Sequence, residues 1–278
     1  MDSDALKRSA LVVSPHQDDE TLGCGGTIVS KRRAGAEVTI VFLMDGHRSH
    51  TPHIEPAELS ALRHSEAVAA AERMGVGRDH VVFLDLLEGK LGLFVDEAVE
   101  RLGAVLSDVA PEEVFLPAAL EPKKEHAIAN AVGRGALDRW GHEVTVYEYP
   151  VWCWYHWPRV PLPFTRRTVG PASRTRYELP RVLSNTRLMS YGARMYREFT
   201  TRIDVGDSLE DKRAALAEHR SQMTRLRPDR PWATLSDVGG GEFLDCFFTG
   251  DEVFRRYVYR PAAQSAPSRM EGPAKAPA

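Results

Sequence analysis

With 278 residues, 43% of them hydrophobic and 27% charged, the chain can bury a substantial core, and wholesale disorder is excluded. A net charge of −3 argues against a nucleic-acid clamp, and three cysteines (Cys24, Cys153, Cys246) are too few and too scattered for a disulfide framework or a cysteine metal cluster. The longest apolar runs, such as Val38–Met44, fall far short of the roughly 20 residues that span a bilayer.

The charged start, Met1 to Arg8, lacks a signal-peptide core, so a cytoplasmic location without stable membrane insertion is expected. The predicted elements then alternate. Short β-branched runs at Ala10–Ser14, Val38–Met44, His80–Leu84, Glu113–Leu116 and Glu143–Tyr149 read as strands. Between them, Thr21–Ala34, Pro56–Met74, Asp96–Val109 and His126–Trp140 read as helices. Strands separated by amphipathic helices are βαβ units, which predicts an α/β fold: a Rossmann-like open, mostly parallel sheet with helices on both faces.

The second half is less regular. Residues 150–200 are rich in Trp, Pro and Arg, and Trp152, Trp154, Tyr155 and Trp157 form the densest aromatic run. Those rings read as core, as a contact between copies in a homo-oligomer, or as a stacking surface for a sugar. One helix is predicted over Ser208–Arg225, with Leu209, Leu216 and Met223 at sevenfold spacing on one face. The expected organisation is a single domain over 1–260. It has a Rossmann-like core at about 9–150, an aromatic-rich elaboration at about 151–260 and a disordered tail at 261–278.

Ligands of such sheets bind beyond the carboxyl ends of the strands, so chemistry belongs in the loops after them. The first loop, Pro15-His16-Gln17-Asp18-Asp19-Glu20, packs four ionisable side chains into five residues. Helix capping by Asp18 or Asp19 explains one carboxylate. A histidine with carboxylates also suits a catalytic zinc, with a second carboxylate as base on the attacking water. Spacing alone leaves both readings open.

The segment from Pro15 to Gly26 resembles the signature of the PIG-L/LmbE-like zinc-dependent de-N-acetylases, with Gln17 where relatives place proline. The similarity continues in Asp45-Gly46, Arg63-His64-Ser65-Glu66, Tyr147 to Trp152, Lys212 to Leu216, His219 to Gln222, and Gly241-Glu242-Phe243. The resemblance implies metal-assisted hydrolysis of an N-acyl group, typically acetyl on an amino sugar. It implies Zn2+ as cofactor, His16 and Asp19 as ligands, and Asp18 as the base. His126, opening the fourth helix after Glu121-Pro122-Lys123-Lys124-Glu125, is the implied third ligand.

Relatives write that fourth loop as Asp-x-His-x-Asp-His, so Lys123 stands where they carry a catalytic histidine. An ammonium can donate to a developing oxyanion but is a poor proton shuttle at neutral pH. Lys123 therefore marks an oxyanion stabiliser, a site tuned to another substrate, or an impaired enzyme. Lysine is scarce here, seven of the 36 basic residues, which makes the Lys123-Lys124 pair conspicuous.

Substrate contacts are expected from Asp45, from His47 in the loop holding His47, His50 and His53, and from Arg63. Those histidines also read as a second metal site or as an exposed loop without a role. Arg63 also reads as an i,i+3 partner of Glu66. His219 and Gln222 either touch substrate or fix the C-terminal helix. Gly23-Cys24-Gly25-Gly26 lacks the third glycine of a dinucleotide fingerprint, and close helix–sheet packing explains it better. Cys24 reads as a buried thiol rather than a nucleophile. The expected function is a zinc-dependent hydrolase that removes an acetyl group from an amino sugar of a glycoconjugate or secondary metabolite. A weak sugar- or metal-binding module, or an amidase for a thiol-conjugated pseudodisaccharide, is the alternative.

Overall fold

A computed structural model describes residues 3–51, 53–156 and 194–261. A short helix α1 (Ser3–Leu6) precedes four βα units and a fifth strand: β1 (Ala10–Ser14), α2 (Asp19–Arg33), β2 (Val38–Met44), α3 (Pro56–Arg73), β3 (Val81–Leu86), α4 (Val95–Val109), β4 (Glu113–Pro117), α5 (Lys124–Trp140) and β5 (Val144–Tyr149). Then come α6 (Cys153–His156), β6 (Thr201–Asp204), α7 (Leu209–Glu218), α8 (Arg220–Met223), α9 (Glu242–Asp245) and β7 (Asp251–Tyr259).

The seven strands lie in the order β3-β2-β1-β4-β5-β7-β6. β1 to β5 are parallel, β7 runs antiparallel to β5, and β6 antiparallel to β7. Strict alternation along the strands feeds two cores. Ala10, Val12, Ile40, Phe42, Phe115 and Tyr147 point to α2, α3 and α7, while Leu11, Val13, Val41, Leu43, Val114 and Val146 point to α4 and α5. Burial on both faces is why the parallel strands read as continuous apolar runs. The expected α/β architecture with helices on both faces is the one observed.

Close packing explains the glycines of α2. A Cβ on Gly23 would stand 2.1 Å from the Tyr149 ring, and one on Gly26 2.7 Å from Val205. Both contacts are shorter than any real side chain tolerates, so these positions need glycine to seat α2 on the sheet.

The helix predicted over Ser208–Arg225 is two helices. Leu209, Leu216 and Met223 pack on the core as their spacing requires, but His219 (φ −73°, ψ 58°) breaks the helix between α7 and α8. The break lets its imidazole reach Glu20, Nε2 to Oε1 3.1 Å, inside the protein. Trp157 and residues 262–278 lie outside the described residues. Among the described residues, no helix is long and apolar enough to cross a membrane.

Candidate active site and metal centre

β1 and β4 are neighbours, and the chain leaves them in opposite directions, to β2 on one side and β5 on the other. That topological switch opens a crevice at their carboxyl ends. A cleft of about 630 Å³ lies there, lined by His16, Asp18 and Asp19 from the β1 loop and the start of α2, and by Lys123, Glu125 and His126 from the β4 loop and the first turn of α5.

His16, Asp19 and His126 bring one ligand atom each to within 4.8 Å of one another. His16 Nδ1 lies 3.1 Å, and His126 Nε2 3.4 Å, from the same Asp19 Oδ2. Ligand bonds of about 2.0–2.1 Å at tetrahedral angles separate neighbouring donors by roughly 3.3–3.4 Å, so the spacing fits a metal ion. Both His126 ring nitrogens are buried without a hydrogen-bond partner among the described residues, and a buried polar atom needs a partner, a need that a metal ion at this site would meet. These three residues form a site able to hold a metal. Burial brings His126 down to about 4 and keeps it neutral, the form that can ligate. At His16 burial opposes the charge too, but the Asp19 and Glu125 carboxylates outweigh it and raise the imidazole to about 10.

Neither aspartate caps α2. Asp18 makes no side-chain cap hydrogen bond, and Asp19 Oδ2 accepts from the His16 amide at 3.0 Å. Asp18 instead sits at φ 143°, ψ −26°, a left-handed region that costs a non-glycine residue about 1–3 kcal/mol. Three bonds hold it there. Its amide donates to Glu20 Oε2 (3.0 Å), its carbonyl accepts from Leu22 N (2.9 Å), and Arg63 Nη2 donates to the preceding Gln17 carbonyl (2.7 Å). Gln17 in turn donates from Nε2 to Met44 O at the end of β2 (2.7 Å), so the departure from proline adds a tether. Burial pushes the Asp18 carboxyl up to about 7, against the pull of Arg63 whose guanidinium is 3.6 Å away.

Arg63, buried and on the cleft wall, thus grips the strained loop and does not pair with Glu66. The Glu66 carboxylate accepts from Ser221 N (2.8 Å) and Oγ (2.6 Å). Lys123 is exposed on the cleft wall, its ammonium 4.4 Å above the Trp152 ring, and Trp152 stacks on Phe243 at 5.0 Å. Of the aromatic run, Trp152 lines the cleft, while Trp154 and Tyr155 pack against the core.

Asp45 and His47 are bonded to each other, Nδ1 to Oδ1 2.7 Å, and are not among the residues that line the cleft. From their loop, His50 reaches the cleft, stacked on Trp232 at 4.1 Å and bonded through Nε2 to Ala233 O at 2.8 Å. Gln222 lines the cleft, whereas His219 sits behind it on Glu20. Burial pushes the Cys24 thiol well up, as suits an inert thiol.

Two further carboxylates contribute, Glu88 outside every motif and Glu121 at the first position of the fourth-loop motif. Glu88 follows β3 and lines the cleft with its carboxylate 3.8 Å from His16 Nε2. Glu121 buries its carboxylate on the amides of Val151 (2.6 Å) and Trp152 (2.9 Å), and burial raises it to about 7. It ties the β5 loop, and with it the ring beneath Lys123, to the β4 loop. A carboxylate after a predicted strand was the sole signal for Glu88.

Fold and site together define a Rossmann-like α/β protein with a histidine–carboxylate centre at its topological switch point. Residues 11–137 match the family described as PIG-L: GlcNAc-PI de-N-acetylase. Diacetylchitobiose deacetylase of Thermococcus kodakarensis is 29% identical over 120 residues, 43% of this chain and 44% of that protein. The chain therefore matches less than half the length of that relative. The 1D-myo-inositol 2-acetamido-2-deoxy-alpha-D-glucopyranoside deacetylase of Mycobacterium sp. (strain KMS) is 25% identical over 240 residues, 77% of this chain and 74% of that protein.

Among solved structures, the A40926 pseudoaglycone deacetylase superposes with a TM-score of 0.59 at 17% identity, covering 93% of this chain and all of that one. The 4-carboxy-2-hydroxymuconate hydratase GalB of Pseudomonas putida does so with a TM-score of 0.58 at 18% identity, with 93% and 100% coverage. At such identities the likeness is one of fold, and the fold serves both a deacetylase and a hydratase.

Proposed function

We propose that this protein is a zinc-dependent N-deacetylase that hydrolyses the acetamide of an amino sugar carried by a glycoconjugate or secondary metabolite. The observation that carries the reading is the convergence of His16, Asp19 and His126 on one point, with the strained Asp18 facing the same cleft. The deacetylase relatives at 29% and 25% identity support it, and GalB shows why the fold by itself does not.

His16, Asp19 and His126 would hold the zinc, which would supply Lewis acidity toward the amide carbonyl and acidify water. The chain does the rest. Asp18 accepts the proton of the attacking water, and the backbone bonds around it keep its carboxylate aimed into the cleft. Lys123, steadied over Trp152, donates to the oxygen that becomes negative in the tetrahedral intermediate. Asp18, now protonated, returns its proton to the leaving amine, so water and amide become acetate and amine.

The test is a panel containing diacetylchitobiose, N-acetylglucosaminyl-inositol and an N-acylated glycopeptide pseudoaglycone, assayed for acid and free amine. Equal amounts of carboxylic acid and amine from at least one substrate fit the reading. Zinc uptake without hydrolysis across the panel favours a binding module with Lys123 in place of the catalytic histidine.

A further inference from the structure

The back of the His16 ring carries an arrangement that the hydrolysis above does not use. Its Nδ1 faces Asp19, while its Nε2 lies 3.8 Å from Glu88 Oε1 and 3.7 Å from Glu125 Oε2. Each glutamate has one oxygen fixed by backbone and the other turned to the imidazole. Glu88 Oε2 accepts from Arg48 N at 2.8 Å, and Glu125 Oε1 accepts from Gly89 N at 2.6 Å. The Glu88 amide in turn donates to Asp45 Oδ1 at 3.2 Å, the atom that also holds His47. The loops after β2 and β3 and the first turn of α5 thus converge on one imidazole nitrogen.

We propose that Glu88 and Glu125 are positioning residues that clamp His16 from behind, presenting Nδ1 to the metal and setting the affinity of the site. A ligating histidine whose far nitrogen faces a carboxylate is fixed in tautomer and ring orientation and is a more basic ligand. Asp45 and His47 then serve by holding the Glu88 loop. Glu121 stands in the same relation to His126, Oε2 to Nδ1 3.7 Å, but it is single and already committed to the β5 loop. The clamp on His16 is double, and Glu88 belongs to none of the motifs that mark the site.

This inference rests on His16 being a zinc ligand, and the experiment separates the two claims. Zinc affinity is measured by chelator competition for wild type, Glu88→Gln, Glu125→Gln and the double variant. Ring 15N shifts of His16 and His126 are recorded on the zinc-loaded proteins. Glutamine keeps an oxygen for each backbone amide and turns an uncharged NH2, a donor instead of an acceptor, toward Nε2, so the loops stay anchored and the thermal midpoint serves as a check. Zinc binding weakens about 10- to 100-fold in the double variant, and the His16 shifts move while those of His126 do not. Affinity within twofold of wild type overturns the clamp and leaves His16 as a ligand. So does a second zinc equivalent that disappears in the double variant, because the carboxylates would then be ligands themselves. A wild type that takes up no zinc removes the ligand reading and the clamp with it.

Discussion

The ammonium of Lys212 stands 2.7 Å from the carboxylate of Glu252, and both side chains are almost wholly buried. The pair closes a break in α2. Cys24 has non-helical angles (φ −146°, ψ 18°), which leaves backbone groups on either side without their intrahelical partners. Lys212 Nζ donates to Leu22 O at 2.9 Å. The Glu252 carboxylate accepts from Gly26 N at 2.8 Å and Thr27 N at 2.9 Å. An ion pair from α7 and β7 thereby anchors the helix whose first turn carries Asp19.

Removing one member leaves the other charge buried, which costs about 3–5 kcal/mol. Lys212→Met and Glu252→Gln are each expected to lower the free energy of unfolding in urea by that amount. Because they share one interaction, the double variant loses less than the sum. Additive losses would show that the two groups act independently.

Asp18 combines strain with the proposed role of base. Asp18→Asn keeps the backbone angles and is expected to lower kcat about 10²- to 10⁴-fold while zinc binding persists. Asp18→Gly suits φ 143° and is expected to abolish turnover yet raise the stability by about 1 kcal/mol, strain relief less the added chain entropy. Thermal unfolding of the two variants checks the opposition. A glycine variant less stable than the asparagine one would contradict it.

Lys123 separates the active from the impaired reading. If its ammonium meets the oxyanion, Lys123→Ala lowers kcat roughly 10²- to 10³-fold with little change in KM. If the position marks a lost histidine, Lys123→Ala changes nothing and Lys123→His raises the rate. Steady-state kinetics on the best substrate of the panel discriminates the two.

Legibility in the sequence followed how local each cause is. β1, β2 and β4 announced themselves because parallel strands buried on both faces are apolar throughout. β7 carries Glu252, Arg255 and Arg256 among its apolar residues, and its pairing to β5 lies more than a hundred residues away. Nothing near it in the chain marks it as a strand. His16, Asp19 and His126 were readable because a motif stood at each strand end. The break at His219 was not, because it serves Glu20 across the fold. His47 looked like a cleft residue from its place after β2, but its bond to Asp45 turns it to the support of Glu88. His50 faces the cleft in its place.

The central claim is hydrolysis that depends on a metal at His16, Asp19 and His126. The most direct measurement is acetate release from an N-acetylglucosamine-containing substrate by chelator-treated protein, before and after one equivalent of zinc, for wild type and His126→Ala. The account predicts no release from the stripped wild type, recovery on adding zinc, and no recovery in the variant. Undiminished release from wild type shown to be metal-free would contradict it.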